Sequence, residues 1–279
     1  MAQAAAQAAD ELTESDAEIE RSAPKRVDLI DARFDVLACL ADVHGNTVAL
    51  DAVLASEEFA GAQAVAFLGC STSGPDPLGV LERCRTLSIP VFHLAGNGDR
   101  WLLELADGVR PFERELDTWL IDSHGEAGLE TIGSWPGGLA IPQAAAGGVR
   151  LCHGSPRSDI ELLTRLTPGV RLDAATEGVA ETTVIHGHSH VQYSRQVDGR
   201  TIAGAGSVGL PYSGGESPGA RWALVSDRVQ LVVTPYDLDG VDELVATRGY
   251  PSTNFSKTLR EPPTAESMTL QAEELKFSN

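Results

Sequence analysis

The sequence predicts an α/β protein in which two β-sheets pack together and helices flank them. The first half of the chain alternates apolar strands with amphipathic helices, and the second half is a series of short strands separated by turns. No obvious linker separates the halves, so we expect the two sheets to belong to one domain. We place that domain at about 31–236.

Three buried strands are predicted in the first half, at 33–42, 64–69 and 89–96, because each is a short apolar run that ends in turn residues. Helices are predicted between them at 46–59 and 78–87, where apolar residues recur with helical spacing. The β-α-β-α-β order implies parallel strands with right-handed crossovers. Ligands of such sheets gather at the carboxyl ends of the strands.

The pattern changes after an α-rich segment at about 100–135. Six short strands are predicted within GGVRLCHG, TTVIHGHSH, VQYSRQVDG, RTIAGAGSVG, ARWALVSD and RVQLVVTPYD. A helix near 239–249 and a polar tail make up the segment 237–279. Residues 1–30 are acidic and rich in alanine, which predicts a disordered tail.

Composition narrows the class of partner and the compartment. The formal net charge of −19 argues against binding to a nucleic-acid phosphate backbone. The four cysteines lack CxxC spacing, which suits a reducing cytoplasm better than a disulfide scaffold. The sequence starts without a signal-peptide pattern and contains no apolar run long enough for a membrane helix. We therefore expect a cytoplasmic protein that binds no membrane.

Polar side chains and cysteines follow five of the predicted strands. The sets are Asp42-Val43-His44-Gly45-Asn46, Gly69-Cys70, Gly96-Asn97-Gly98-Asp99-Arg100, Cys152-His153-Gly154 and Gly187-His188-Ser189-His190. One isolated histidine is more typical of a packed core or a surface, whereas five sets at strand ends predict one shared site. In VIHGHSHV, alternation also directs His186 to the same face as His188 and His190. His186 lies one step deeper, and we assign it a supporting or packing role.

The mixture of carboxylate, imidazole and amide groups suits Mn²⁺, Fe²⁺ or Zn²⁺ better than Ca²⁺ or Mg²⁺ alone. The candidate ligands exceed what one tetrahedral zinc ion needs. Two ions about 3.5–4 Å apart would use them, and such pairs clamp the attacking and leaving oxygens in phosphoryl hydrolysis. The sequence therefore predicts a dinuclear metal site.

In order and spacing, these sets resemble the calcineurin-like metallophosphoesterase family. Its pattern is D-x-H, G-D, G-N-H-[DE], H-G and G-H-x-H, and the matching residues run from about 34 to 236. The stretches SGPDP, LCHGSP and GSVGLP are similar to the prokaryotic phosphodiesterase branch. The resemblance implies a four-layer α-β-β-α sandwich of two mixed sheets flanked by helices. It also implies a phosphoesterase that hydrolyses a phosphodiester or a small phosphomonoester.

The resemblance also implies ligands and catalytic groups. Two divalent ions are expected, with Mn²⁺ as the first choice and Fe²⁺, Zn²⁺ or Ni²⁺ as alternatives. The first ion would take Asp42, His44 and His190, and the second would take Asn97, His153 and His188. The bridging position of the family falls on Cys70. The candidate catalytic residues are His188, Asn97, Asp99 and Arg100.

Two positions depart from the family pattern. Cys70 stands where the family has its bridging aspartate, and Gly98 stands where it has a histidine that assists the leaving group. A thiolate can bridge metals, but its bonds to zinc are about 2.3 Å against about 2.0–2.2 Å for oxygen, and it favours zinc or iron. The alternative is an inert buried cysteine beside a weakened or one-metal site.

Loss of a general acid at position 98 typically costs about 10²–10⁴-fold in rate. Arg100 could supply charge to the phosphoryl oxygens, and His93 and His124 are other candidates for the lost proton donor. Two main hypotheses follow: a phosphoesterase of reduced activity, or a catalytically degenerate binding or regulatory module. A redox-active metal site at Cys70 is a third.

Overall fold

Two mixed sheets form the centre of the structure, a computed structural model that describes residues 22–24, 26–142, 144, 147–213, 219–252 and 254–275. In chain order the strands are β1 (Val27–Leu29), β2 (Leu37–Leu40), β3 (Ala64–Leu68), β4 (Val91–Leu94), β5 (Gly138–Ile141), β6 (Val149–Cys152), β7 (Thr183–His186), β8 (Gln192–Val197), β9 (Arg200–Ala205), β10 (Ala220–Val225) and β11 (Val229–Thr234). The helices are α1 (Thr47–Leu54), α2 (Glu57–Ala60), α3 (Pro77–Thr86), α4 (Asn97–Ala106), α5 (Glu115–Gly133), α6 (Gly169–Ala175), α7 (Leu238–Arg248), α8 (Asn254–Arg260) and α9 (Ala265–Leu275).

The five-stranded sheet has the order β11-β10-β2-β3-β4, and the six-stranded sheet has the order β1-β5-β6-β7-β9-β8. Strands β2, β3 and β4 are parallel, as the β-α-β-α-β pattern predicts. In the other sheet, β6, β7 and β9 are parallel while β8 is antiparallel to β9. Loops that carry polar residues therefore leave both sheets at the carboxyl ends of parallel strands.

Alternation along the strands divides the core into layers. Cys39 and Ala66 face inward and share one apolar cluster with Ile185 of the six-stranded sheet. Leu40 and Phe67 face outward and belong to a second cluster, in which Leu50 and Val80 supply the helical side. On the opposite outer face, Leu172 of α6 packs on Ile202 of β9. These layers confirm the four-layer α-β-β-α arrangement that the resemblance implies.

The ends of the domain differ from the sequence prediction. Residues 27–29, predicted as part of a disordered tail, form β1 and pair in parallel with β5. Ser22 is buried and its hydroxyl hydrogen-bonds that of Ser158, so this part of the predicted tail contacts the domain. Residues 1–21 of the predicted tail lie outside the described residues.

The C-terminal segment forms three helices where the sequence predicts one helix and a polar tail. Helix α7 matches the predicted helix, and α8 packs on it through Val241, Phe255 and Leu259. The carboxylate of Glu273 in α9 accepts hydrogen bonds from the hydroxyls of Thr164 and Thr167, which fixes α9 against the domain. None of the helices in the described ranges is long and apolar enough to cross a membrane.

His93 provides a test of this core that is independent of any function. Its ring is stacked between Phe67 and Trp135, with ring centroids 5.0 and 4.7 Å away. Burial lowers the pKa of His93 from its ordinary 6.5 to about 4. The folded state therefore favours the neutral ring. This contribution to stability is complete above pH 6.5 and is lost as the pH falls towards 4.

We expect His93→Phe to keep the stack and to remove this acid sensitivity. Between pH 7.5 and 5, the variant should lose about 1–2 kcal/mol less unfolding free energy than the parent, a range discounted for the partial exposure of the ring. Urea unfolding at the two pH values measures the difference. An equal loss in both proteins would show that His93 titrates normally in the fold.

Candidate metal centre

Five loops at one edge of the two sheets carry the candidate ligands. Three follow β2, β3 and β4, whose ends are in register because Leu40 pairs with Phe67 and Leu68 pairs with Leu94. The other two follow β6 and β7 of the six-stranded sheet. These loops bring together seven of the predicted side chains: Asp42, His44, Cys70, Asn97, His153, His188 and His190.

The loops have an unusual backbone conformation. Among the described residues, six that are not glycine have positive φ, and five of the six are candidate ligands: Asp42 (54°), His44 (48°), Cys70 (49°), His188 (62°) and His190 (55°). Each such residue costs about 1–3 kcal/mol, a cost that folds retain mainly at functional sites. Hydrogen bonds between loops, such as Asp42 N–H to Gly69 O and His44 N–H to Cys70 O, hold the conformation.

One ligand group consists of Asp42, His44 and His190. Asp42 Oδ1 lies 3.8 Å from His44 Nε2 and 3.4 Å from His190 Nε2. The two Nε2 atoms are 3.2 Å apart. These are the three residues that the resemblance assigns to the first metal ion.

A second ligand group consists of Asp42, Cys70 and His153, with Asn97 beside them. His153 Nε2 lies 3.9 Å from Asp42 Oδ1, 3.2 Å from Cys70 Sγ and 2.8 Å from Asn97 Oδ1. Asp42 therefore belongs to both groups, whereas Cys70 belongs to the second. In this geometry the shared position is at Asp42 Oδ1.

Three of the histidines are oriented by backbone carbonyls. The Nδ1 atoms of His44, His153 and His190 lie 3.2, 2.7 and 2.7 Å from the carbonyl oxygens of Ser73, Leu68 and Leu210. A proton on each Nδ1 satisfies these carbonyls and leaves the Nε2 lone pair directed into the site. Such contacts orient metal-binding histidines in proteins.

The donor set fits a cation. Asp42 Oδ1 is buried and accepts no hydrogen bond from the described residues. With the Nδ1 tautomer, the Nε2 lone pairs of His44 and His190 face each other, and that of His153 faces Asn97 Oδ1. A single thiol proton on Cys70 can satisfy only one of the neighbouring acceptors. Cations between these atoms would resolve every one of the unfavourable contacts.

Burial and neighbouring charge set the protonation states. Burial lowers the pKa of His44 to about 4 and that of His188 to about 3, so both rings are neutral near pH 7. Burial acts to raise the pKa of Asp42, but His190 and His153 outweigh it and hold the pKa below its ordinary value. For Cys70, burial and the charges of Asp99 and Asp42 raise the pKa well above 9.0. Without a cation, Cys70 is a neutral thiol.

His188 lies above the second group. Its backbone N–H donates to Asp42 Oδ2 at 2.8 Å, and its ring centroid is 5.1 Å from that of His153. His186 instead contacts the hydroxyl of Tyr193 through Nε2 at 2.8 Å. This buried contact agrees with the supporting role expected for His186.

Asp99 and Arg100 occupy different positions from the other candidates. Asp99 Oδ2 accepts the backbone N–H groups of Cys70 and Gly96, both at 2.8 Å, so Asp99 ties two ligand loops together. The guanidinium of Arg100 pairs with Asp159 at 2.7 and 2.9 Å and with Glu104 at 2.8 Å. The guanidinium expected to contact phosphoryl oxygens is therefore already paired with two carboxylates. Arg100 also does not line the cavity above the site.

The two departures from the family pattern adjoin each other. The Gly98 N–H donates to Cys70 Sγ at 3.3 Å. A Cβ atom at position 98 would lie 2.8 Å from Ser73 Oγ and 3.0 Å from Cys70 Sγ. Glycine at position 98 therefore leaves room for the sulfur at position 70. Of the alternative proton donors, His93 lies in the stack described above, and His124 Nδ1 contacts Leu120 O within α5.

A cavity of about 690 Å³ opens above the ligands. Its walls include Trp101 and Leu105 of α4, Tyr212, and Met268 and Leu275 of α9. The residues of α9 were not predicted from the sequence, because the segment after the helix near 239–249 was interpreted as a polar tail. The helical spacing of Met268, Ala272 and Leu275 is the signal that could have identified an apolar helix face there.

Comparisons with known proteins identify the family and the fold. A family model described as a calcineurin-like phosphoesterase superfamily domain matches residues 36–225, more than half of the 279-residue chain. A hypothetical protein from Pyrococcus horikoshii OT3 is 20% identical, with a TM-score of 0.69, over 84% of this chain and 100% of that one. A metallophosphoesterase from Sphaerobacter thermophilus is 20% identical, with a TM-score of 0.64, over 81% and 98%. At such identities the likeness shows the fold. No curated protein sequence matches the chain.

Proposed function

The chain belongs to the calcineurin-like phosphoesterase superfamily, and from this premise we propose that it is a divalent-metal-dependent phosphoesterase with a dinuclear site and reduced activity. Its substrate is a phosphodiester or a small phosphomonoester. One observation carries the proposal: the buried Asp42 Oδ1 accepts no hydrogen bond from the described residues. It lies between two pairs of candidate ligands, His44 and His190 in one group and Cys70 and His153 in the other. A buried carboxylate that belongs to both ligand groups would help to hold a divalent cation in each of them.

The two halves of the site differ in chemistry. Asp42, His44 and His190 would hold one ion with oxygen and nitrogen donors, a set that suits Mn²⁺ and also Fe²⁺, Zn²⁺ or Ni²⁺. Cys70, Asn97 and His153, with His188 above them, would hold the other, and the sulfur favours zinc or iron. When bound, such ions supply a Lewis acid for phosphoryl oxygens and lower the pKa of water.

Protein groups near the site stabilise negative charge on the phosphoryl group. Asn97 is the first residue of α4, so the positive end of the helix dipole points towards the site. His188 is neutral near pH 7 and lines the cavity, where it can donate to or accept from a phosphoryl oxygen. Gly98 supplies no proton, so esters with acidic alcohols, such as aryl esters, suit this site best.

The test is metal analysis combined with hydrolysis of an aryl phosphodiester in added Mn²⁺. We expect between about one and two metal ions per chain in the parent protein, because the dinuclear geometry offers two positions and the protonated Cys70 thiol weakens the second ligand group. His188→Ala should lower turnover at least about 100-fold, because it removes a group at the reacting phosphoryl. His93→Phe is the matched control, since His93 lies in the core, and should leave metal content and turnover unchanged. Equal turnover in parent and His188→Ala would refute the catalytic role.

A binding or regulatory module is the second candidate, and Cys70 and Gly98 favour it. The neutral Cys70 thiol next to His153 can satisfy part of the second group without an ion. A protein that contains no metal and hydrolyses no aryl ester would support this candidate.

We propose that the protein is cytoplasmic and that its partner is a small phosphate ester rather than nucleic acid or membrane. All four cysteines are free and buried, which fits a reducing compartment. The net charge of −19 repels polyanions such as nucleic acid, except close to bound cations, where the local charge is positive.

A further inference from the structure

The side of the cavity along α4, here called the apolar arm, is lined mainly by apolar residues and begins at the metal centre, whereas Arg110, Glu113, Arg114 and Asp117 line another part of the cavity. Gly98, Trp101, Leu102 and Leu105 all line the cavity, and their spacing places them on one face of the helix. This face begins beside Asn97, at the second ligand group, and extends for about 10 Å, at 1.5 Å per residue. A ligand bound to the metal centre therefore has direct access to the apolar arm.

Helix α9 supplies a second wall with the same spacing. Met268, Gln271, Ala272 and Leu275 all line the cavity. Another side of α9 is fixed to the domain, because the carboxylate of Glu273 accepts hydrogen bonds from Thr164 and Thr167 and lies 3.6 Å from the guanidinium of Arg171. The wall is thus held by specific contacts rather than by apolar packing alone.

Aromatic rings border the arm. Tyr212 lines the cavity and stacks on His190, with centroids 4.7 Å apart, so one ring joins the metal centre to the apolar wall. The guanidinium of Arg110 lies over the Trp101 ring, 4.9 Å from the ring centroid. Tyr250, from the turn after α7, lines the cavity as well. Flat apolar groups find stacking partners in such a setting.

We propose that this arm binds the organic group of the phosphate ester and selects an aromatic or apolar group of about one or two rings. The inference rests on the proposed function and names the substrate class. The whole cavity, which includes the space above the metal ligands, has a volume of about 690 Å³ and suits a small molecule. Walls from both α4 and α9 border the arm on two sides and form a concave site for a small organic group. Burial of an aromatic group there contributes through its apolar area.

The test compares two esters with the same leaving group, methyl para-nitrophenyl phosphate and naphthyl para-nitrophenyl phosphate. We expect kcat/KM for the naphthyl ester to exceed that for the methyl ester by at least about tenfold, from the added apolar burial. Met268→Asp places a charge in the arm and should reduce the ratio to about threefold or less. Leu270→Asp adds the same charge on an exposed part of α9 and should leave the ratio unchanged. Thermal unfolding confirms that both variants fold.

A binding measurement separates this inference from the proposed function. If neither ester is hydrolysed, calorimetry compares naphthyl phosphonate with methyl phosphonate on the full chain in Mn²⁺. Tighter binding of the naphthyl compound, lost in Met268→Asp and kept in Leu270→Asp, supports the arm although turnover is absent. Hydrolysis of both esters at equal kcat/KM overturns the arm and leaves the phosphoesterase intact. Equal binding of the two phosphonates overturns it as well.

Discussion

Replacement of Cys70 by aspartate is expected to raise metal content towards two ions per chain and to tighten metal binding at least about 10–100-fold. The Cys70 thiol has a strongly raised pKa, so a cation must displace its proton before the sulfur can bind. An aspartate, which has a far lower ordinary pKa, would present an oxygen at the position where the sulfur lies 3.2 Å from His153 Nε2. Metal analysis and ester hydrolysis in Mn²⁺ measure the gain, and both should rise together.

The same substitution should make stability depend on metal. Cys70 has φ of 49°, a conformation that aspartate and asparagine tolerate better than cysteine. Aspartate at this position would also face the carboxylates of Asp99 and Asp42, which already raise the pKa of the thiol. We therefore expect a lower unfolding temperature than the parent in chelator and a higher one in excess Mn²⁺.

Cys70→Asn is the matched control, because it has the size and backbone preference of aspartate without the charge. Cys70→Asn should gain stability, because asparagine tolerates the positive φ at this position, but it should not bind more metal than the parent. A rise in metal content with Cys70→Asn equal to that with Cys70→Asp would show that removal of sulfur, rather than the added carboxylate, matters. Unchanged or lower metal content and turnover with Cys70→Asp would contradict a ligand role for position 70.

Much of the fold could be predicted from the sequence because the central elements combine apolar runs with clear turn residues. Strands β2, β3 and β4 and the six strands from β6 to β11 lie within predicted segments. Strands β1 and β5 are only three and four residues long, and their pairing is a tertiary contact that no local pattern specifies. Helices α8 and α9 were not predicted because polar residues dominate the segment. Their few apolar residues stabilise helices only through contacts with α7 and with the cavity wall, which the sequence does not show.

The candidate site was predictable as a set of residues but not as a geometry. Loops after strands indicated which side chains converge, and the structure brings seven of them together. Sequence could not show that Arg100 pairs with Asp159, because its partner lies 59 positions away. Nor could it show that Asp42, rather than Cys70, belongs to both ligand groups. That feature depends on the distances across two sheets.

Asp42→Asn tests this shared position, and its expected effect is loss of both metal ions. The substitution removes the charge next to three imidazoles, and affinity for each ion should fall at least about 100-fold. An amide N–H₂ at the Oδ1 position could donate to the Nε2 lone pair of His190, which lies 3.4 Å away. The metal-free variant gains this hydrogen bond but loses the attraction of His190 and His153 for the carboxylate, which holds the pKa of Asp42 low, so in chelator it should be somewhat less stable than the metal-free parent. Metal analysis and thermal unfolding with and without chelator measure both effects.

Asp99→Asn distinguishes a ligand from a neighbouring buried carboxylate. Asp99 accepts the backbone N–H groups of Cys70 and Gly96, and no ligand group includes it. A neutral acceptor weakens these bonds, but it also removes the cost of burying the charge, because burial raises the pKa of Asp99 to about 6. We therefore expect the unfolding free energy near pH 7 to change by less than about 1 kcal/mol, with metal stoichiometry retained. The two substitutions should thus differ in metal content: Asp42→Asn removes the metal, whereas Asp99→Asn retains it. Full metal content in Asp42→Asn would mean that the ions bind away from Asp42, and the dinuclear site proposed for this chain would have to be abandoned.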